Sequence, residues 1–202
     1  MRNRNAIMSN MKADEVLKAA FRRHKEVLEE TEKILKDAAR GADMLLEALN
    51  AEKKVFACGN GGSAADAEHF IGELLCRYKD DRRPLAGISL VSHVGALTAI
   101  GNDYGYEEVF ARQIETLGSE GDVLVAITTS GKSKNVLAAL STAHAKKLHT
   151  IVLTGEKGAS LKNKADLVIA IPSVETARIQ EMHELIYHGW CEFLDTDSAI
   201  RT

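Results

Sequence analysis

His69 and Glu73 stand four residues apart in GSAADAEHFIGELLCR, residues 62–77. On a helix that spacing puts an imidazole and a carboxylate on one face. Asp66 and Arg77 extend the stripe, while Phe70, Ile71, Leu74 and the alanines form the other face. Such a set suits acid–base work on a phosphorylated substrate. The plainer alternative is a solvated stripe with an exposed i,i+4 pair. Near the C-terminus, RIQEMHELIYH (178–188) carries Gln180, Glu184 and His188 loosely on one face and His183 to one side. Spacing alone does not choose between His183 and His188.

Two glycine-rich turns could hold a phosphate beside these groups. Gly59-Asn60-Gly61-Gly62-Ser63-Ala64 fits the loose dinucleotide pattern G-x-G-x-x-A. A dinucleotide also needs an acid at the end of the next strand, about 20 residues on. That strand reads AGISLVS and has none; Asp80 and Asp81 fall in the KDDRR loop before it. Gly131-Lys132-Ser133 ends like a P-loop, but the first glycine of that motif would stand at Ala126. What remains is Thr128-Thr129-Ser130-Gly131-Lys132-Ser133, where a strand runs into a helix with four hydroxyls and free amides. Ser63 holds the same relation to the preceding strand and helix. Two such helix starts could converge on one phosphate. The alternative is that Ser63 and Ser133 are N-caps, Ser63-x-x-Asp66 forming a capping box.

The elements that must position these residues follow from apolar patterning. Runs at 54–57, 86–90, 123–127, 150–153 and 167–171 read as strands. Helix-like segments lie near 63–77, 93–101, 106–117, 133–146 and 158–163, and a last helix near 175–195. Continuous apolar strands alternating with helices predict a five-stranded parallel α/β sheet of flavodoxin-like order, covered on both faces. Ligands then bind beyond the strands' carboxyl ends, at loops 59–63, 91–93, 128–133, 154–158 and 172–176. Before the sheet, Val16, Ala19, Ala20, Val27, Leu28, Ile34 and Leu35 recur at helical spacing, and Gly41 is expected to divide a long first helix from a second at 42–49. The chain therefore divides into an N-terminal helical segment, 1–53, and an α/β unit, 54–202.

The 202 residues are 45% hydrophobic with a net charge of −3, which fits one core of this kind and gives no basic surface for nucleic acid. No run spans a membrane, and MRNRNAIMSNMK lacks the apolar centre of a signal peptide. Cys58, Cys76 and Cys191 form no C-x-x-C pair, so reduced thiols and a cytoplasmic location are expected. Met8 and Met11 offer alternative starts, with residues 1–10 expected to be disordered.

GNGGSAADAEHF, LTAIGNDYGYEEVFARQ, GDVLVAITTSGKSKNV, LTG and RIQEMHELIYH together resemble the phosphoheptose isomerases of the sugar isomerase (SIS) fold. The likeness runs from about residue 12 to 195. It implies conversion of sedoheptulose 7-phosphate to D-glycero-D-manno-heptose 7-phosphate, the entry to heptose of lipopolysaccharide or other surface glycans, by a homotetramer with shared active sites. It implies that His69, Glu73, Gln180 and His188 hold zinc, that Glu73 and His188 are the acid–base pair, that Ser63, Thr129, Ser130 and Ser133 contact phosphate, and that Thr128 belongs to the substrate site. Asn60, Gly61, Gly62, Arg77, Asn102, Asp103 and Gln180 would complete the substrate pocket. A carboxylate that is both ligand and base is awkward, since metal charge lowers its basicity; loose metal or a shifting Glu73 is expected.

Three positions depart from the family pattern: His93 and Ala177 stand where Asp is usual, and Lys132 where Asn is usual. They bear on the substrate more than on the reaction. The competing reading is a non-catalytic SIS tetramer that binds the replication initiator DnaA; such relatives lack the last histidine of the metal set, which is present here as His188. A third is a module that senses a sugar phosphate without turnover.

Overall fold

The computed structural model describes residues 12–201; the alternative starts and the expected disorder of 1–10 lie outside the described residues. Five strands form one all-parallel sheet: β1 Val55–Cys58, β2 Gly87–Ser89, β3 Val123–Thr128, β4 His149–Gly155 and β5 Leu167–Ile171. Their order is β2-β1-β3-β4-β5, the flavodoxin-like order expected. Side chains alternate between faces along each strand. Ala57, Val125, Ile127, Leu153 and Ile169 feed one apolar layer; Phe56, Leu124, Ala126, Val152 and Val168 feed the other. Both layers are covered, which is why the inner strands read as unbroken apolar runs. β2 is one of the two edge strands and is only half-buried.

The first layer is closed by α2 Leu35–Asn50, α3 Gly62–Leu75 and α7 Thr176–Thr196. The second is closed by α4 Val94–Asp103, α5 Ala111–Leu117 and α6 Lys134–Ala145. A 3-10 run, Glu156–Asn163, replaces the helix expected at 158–163, and a short α8, Ser198–Arg201, ends the chain. The expected helix at 106–117 is split into a 3-10 turn, Tyr106–Glu108, and α5.

The break in the N-terminal segment is not at Gly41. α1, Ala13–Thr31, passes through a 3-10 turn at Glu32–Ile34 into α2, which runs straight through Gly41. A Cβ there would lie 2.7 Å from Cζ2 of Trp190. Gly41 is therefore a close-packing position under the indole, whose Nε1 donates to the Ala38 carbonyl at 2.7 Å. The tie between α1 and α7 is polar: Arg178 Nη1 donates to the Ala20 carbonyl (2.7 Å), Arg23 pairs with Glu175 (3.0 Å), and His24 Nδ1 meets Glu181 Oε2 at 2.7 Å.

The KDDRR loop is anchored rather than free. Arg82 is buried, pairs with Asp195 of α7 at 2.7 Å, and donates to the Glu73 and Leu74 carbonyls at 2.7 and 3.0 Å. A cation thus satisfies the open carbonyls at the C-terminal end of α3, beside Glu73. Burial raises the Asp195 carboxyl, but hydrogen bonds from the Lys79 amide, the Arg82 guanidinium and the Asp80 amide outweigh it and hold the group below the ordinary carboxylate range.

Candidate active site

β1 and β3 are neighbours whose onward connections leave in opposite directions, to β2 on one side and β4 on the other. The crevice beyond their carboxyl ends is the topological switch point of such a sheet. Both glycine-rich turns open there. α3 starts at Gly62 with Gly61 as its N-cap residue, at φ +57°. Ser63 is therefore inside the first turn, buried, and no capping box forms with Asp66. Ser133 does occupy the N-cap position of α6, but its hydroxyl makes no capping bond; it lies 3.4 Å from Thr128 Oγ1. Ser130 Oγ accepts from the Lys132 amide at 3.2 Å. Gly131, at φ +66°, carries the turn so close to Gly158 that a Cβ would lie 2.6 Å from its Cα. Capping thus does not account for these hydroxyls.

The two turns are bound to each other by side chains. Asn60 and Asn135 exchange two amide hydrogen bonds of 2.9 Å, and Tyr106 donates to Asn60 Oδ1 at 3.0 Å. Asn135 and Tyr106 were not singled out from the sequence. Asn135 sits in the first turn of α6, directly after the phosphate motif, and that position is the one signal that pointed to it. Gln180 of α7 lies over the first turn: a Cβ on Gly62 would be 2.3 Å from its Nε2. A side chain at position 62 would push this amide from its present place.

α3 and α7 cross so that His69 meets His188 and Tyr187. The His69 and His188 Nε2 atoms are 3.4 Å apart, and Glu73 Oε1 is 3.2 Å from His69 Nε2. On the other side of the ring, His69 Nδ1 lies 3.1 Å from the Tyr187 hydroxyl and 3.6 Å from Glu184 Oε1. His188 stacks on Tyr78 with ring centroids 5.3 Å apart. His183 is elsewhere: it is fully buried, its Nε2 is 3.2 Å from the Thr154 carbonyl, and burial pushes it down to about 4. The choice spacing left open falls on His188.

Ligand-capable atoms of His69, Glu184 and His188 lie within 4.8 Å of one another. Two ligands each about 2.0–2.1 Å from a tetrahedral zinc stand roughly 3.3–3.4 Å apart, which the two Nε2 atoms match. Asp66 adds a buried Oδ2 with no partner, and burial, helped by the Glu184 charge and opposed by His69, raises it to about 6. An orphaned carboxylate oxygen beside paired imidazoles fits a divalent cation.

Other expected site residues stand apart from this cluster. Arg77 is exposed and donates to the Lys79 carbonyl at 2.9 Å. Asn102 and Asp103, both exposed, bond to each other at 2.7 Å at the end of α4. His93 is the N-cap of α4: its Nδ1 accepts from the Ala96 amide at 3.0 Å, so its second nitrogen carries the hydrogen and is a donor only. Lys132 and Ala177 are exposed.

The SIS domain family model matches residues 17–155. The phosphoheptose isomerase of Helicobacter pylori is 48% identical over 187 residues, 92% of this chain and 97% of that protein. That of Campylobacter jejuni is 47% identical over 175 residues, 87% and 94% of the two chains. Among solved structures, the phosphoheptose isomerases of Neisseria gonorrhoeae and Francisella tularensis superpose with TM-scores of 0.87 and 0.89, at 40% and 37% identity. They cover 92% and 93% of this chain and are themselves covered in full. With the sheet order, the paired glycine-rich turns and the His69–His188 contact, these likenesses show that the chain belongs to the phosphoheptose isomerase family of SIS-domain proteins.

Proposed function

We propose that the protein converts sedoheptulose 7-phosphate to D-glycero-D-manno-heptose 7-phosphate through an enediol. The observation that carries this is the approach of His188 Nε2 and Glu73 Oε1 to one nitrogen of His69, at 3.4 and 3.2 Å, beside the phosphate turns. An aldose–ketose interconversion moves one proton between C1 and C2 and rearranges protons on the two oxygens. Glu73, anchored at the end of α3 by Arg82, takes the carbon-bound proton and returns it to the neighbouring carbon. His188, half-buried against Tyr78, donates to and accepts from the oxygens. Ser63, Thr128, Thr129, Ser130 and Ser133, with the amides of both helix starts, hold the phosphate at the far end of the sugar. Asn60, Gly61, Gly62 and Gln180 line the path between, and Arg77, Asn102 and Asp103 reach the substrate from outside the cluster.

His69, Glu73, Gln180 and His188 are the residues that would hold zinc. Bound there, the ion polarises the substrate carbonyl and stabilises negative charge on oxygen.

Residues 1–53 serve assembly, and the active form is a homotetramer with shared sites. Leu17, Phe21 and Leu35 on α1 and α2, and Leu185 and Phe193 on α7, are large apolar groups left exposed in one chain. Leu35, Leu185 and Phe193 line an apolar groove of about 350 Å³ between α1, α2 and α7, and Leu17 and Phe21 line a second one beside His24 and Arg178. Burying them needs further copies. A cytoplasmic location fits three unpaired cysteines and a metabolic reaction; among the described residues no helix is long and apolar enough to cross a membrane.

The deciding experiment is an isomerase assay on sedoheptulose 7-phosphate with and without added zinc. Zinc-stimulated turnover supports the reading. Binding without turnover would favour a sensor, and neither would favour the DnaA-binding alternative.

A further inference from the structure

His69 presents its two nitrogens to two different groups of partners. Nε2 faces Glu73 and His188; Nδ1 faces the Tyr187 hydroxyl at 3.1 Å and Glu184 Oε1 at 3.6 Å. Tyr187 is itself 1% exposed, packed edge-on to His69 and His188 and tilted on Phe70, so its hydroxyl has one fixed place. Glu184 and Tyr187 lie on α7 one and two turns after Gln180, Tyr187 directly before His188, and neither belongs to the ligand or acid–base sets inferred for the reaction.

A metal-ligating imidazole almost always donates the hydrogen on its other nitrogen to an acceptor, which fixes the tautomer and the ring. We propose that Tyr187 and Glu184 are positioning residues that receive Nδ1–H of His69, fix the ring's orientation and leave Nε2 as its metal-binding atom. The inference rests on the metal reading of the site given above. The hydroxyl supplies direction, being within hydrogen-bond reach. The carboxylate supplies charge, because at 3.6 Å it lies just beyond that reach but raises the basicity of the ring. Glu184 belongs to the same three-residue group as His69 and His188, but its approach to Nδ1 assigns it to the outer side of the ring.

The test uses the full-length protein with Tyr187→Phe, Glu184→Gln and Glu184→Ala, stripped of metal and titrated with zinc against a chromogenic chelator. The same samples are loaded with cobalt(II) for absorption spectra, and metal-free melting curves control for folding. Tyr187→Phe keeps the buried ring and loses the hydroxyl alone. It should weaken zinc about tenfold or more, in the range seen when the partner of a ligating histidine is removed. Glu184→Ala should weaken it by a similar factor, and Glu184→Gln, which still offers an acceptor oxygen, by less. Cobalt band positions should stay as in the parent, since the ligands themselves are unchanged. Parent affinity in all three variants would overturn the positioning role. So would a Glu184→Gln variant as weak as Glu184→Ala with shifted cobalt bands, which would make Glu184 a direct ligand. A parent that takes up no zinc would remove the metal site itself, and this role with it.

Discussion

The side-chain amides of Asn60 and Asn135 exchange two hydrogen bonds of 2.9 Å and so clamp the turn after β1 to the first turn of α6. Each amide gives one hydrogen and takes one, and Asn135 Oδ1 also accepts from the Val136 amide. Asn135→Asp keeps the shape and both acceptor roles but cannot donate to Asn60. It also places a negative charge beside the anion site. The expected result is a rise in KM for the sugar phosphate of at least about tenfold, the scale of one lost buried partner, with kcat changed much less. Steady-state kinetics on the folded variant check this. An unchanged KM would make the clamp purely structural.

Thr129 and Ser130 lie in the turn between β3 and α6, and neither is the N-cap of that helix, Ser130 Oγ accepting instead from the Lys132 amide. Replacing both with Ala should raise KM at least about tenfold and weaken competition by inorganic phosphate in parallel, since bonds to a charged group contribute roughly 1.5–3 kcal/mol each. Melting temperature should barely move. Unaltered kinetics in the double variant would place the phosphate elsewhere.

Sheet order and the switch-point loops were legible because buried parallel strands write unbroken apolar runs and their helices write a different period. Residues whose meaning is a tertiary contact were not. Gly41 reads as a helix break, yet it is the gap that admits Trp190. Arg82 draws no notice in the KDDRR loop, yet it is buried against Asp195 and two carbonyls of α3. His183 and His188 are equivalent by spacing, and only the crossing of α3 and α7 turns one toward His69 and the other into the core. His93 drew attention as a substrate contact where the family has Asp; its visible work is a helix N-cap, which Asp would also perform.

Val16, Leu17 and Phe21 leave large apolar groups exposed on α1, the surface proposed above for assembly. Leu17→Glu combined with Phe21→Glu adds two charges to a surface that is 58% and 74% exposed at those residues, so the single subunit should still fold. Sedimentation velocity should show a tetramer for the parent and smaller species for the variant, with loss of turnover if subunits share sites. An unchanged sedimentation coefficient would exclude this face from the interface.

His183 makes stability depend on pH in a defined direction. Its folded-state value, pushed down to about 4 from 6.5 by burial, means that the unfolded chain binds the extra proton first. Stability from this residue is therefore full above pH 6.5 and falls as pH drops toward 4, by about 3 kcal/mol in all. Asp66, raised to about 6, works the other way between its ordinary value and 6, because there the folded state binds more protons. Its carboxyl is only partly buried, so the His183 effect should dominate. Urea unfolding at pH 7 and pH 5 should show the parent losing stability and a His183→Gln variant losing less. Equal losses in both would assign the acid sensitivity to other groups.

His188 is where folding and chemistry separate most cleanly. Its ring stacks on Tyr78 at the rim of the site and meets His69 through Nε2, and it is only half-buried, so the core does not depend on it. His188→Asn keeps a polar side chain but withdraws the basic nitrogen that faces His69 and the substrate oxygens. Asn can neither exchange a proton near neutral pH nor reach the position of Nε2. Turnover should fall at least about a hundredfold, the lower range for loss of a general acid–base group. Assembly and melting temperature should stay close to the parent's, while bound zinc falls because one of the paired imidazoles is gone. Turnover and metal content should be measured on one preparation, with a His183→Gln sample alongside. Normal turnover in His188→Asn would mean that the 3.4 Å contact is incidental and that the proton on the sugar oxygens is carried by another group.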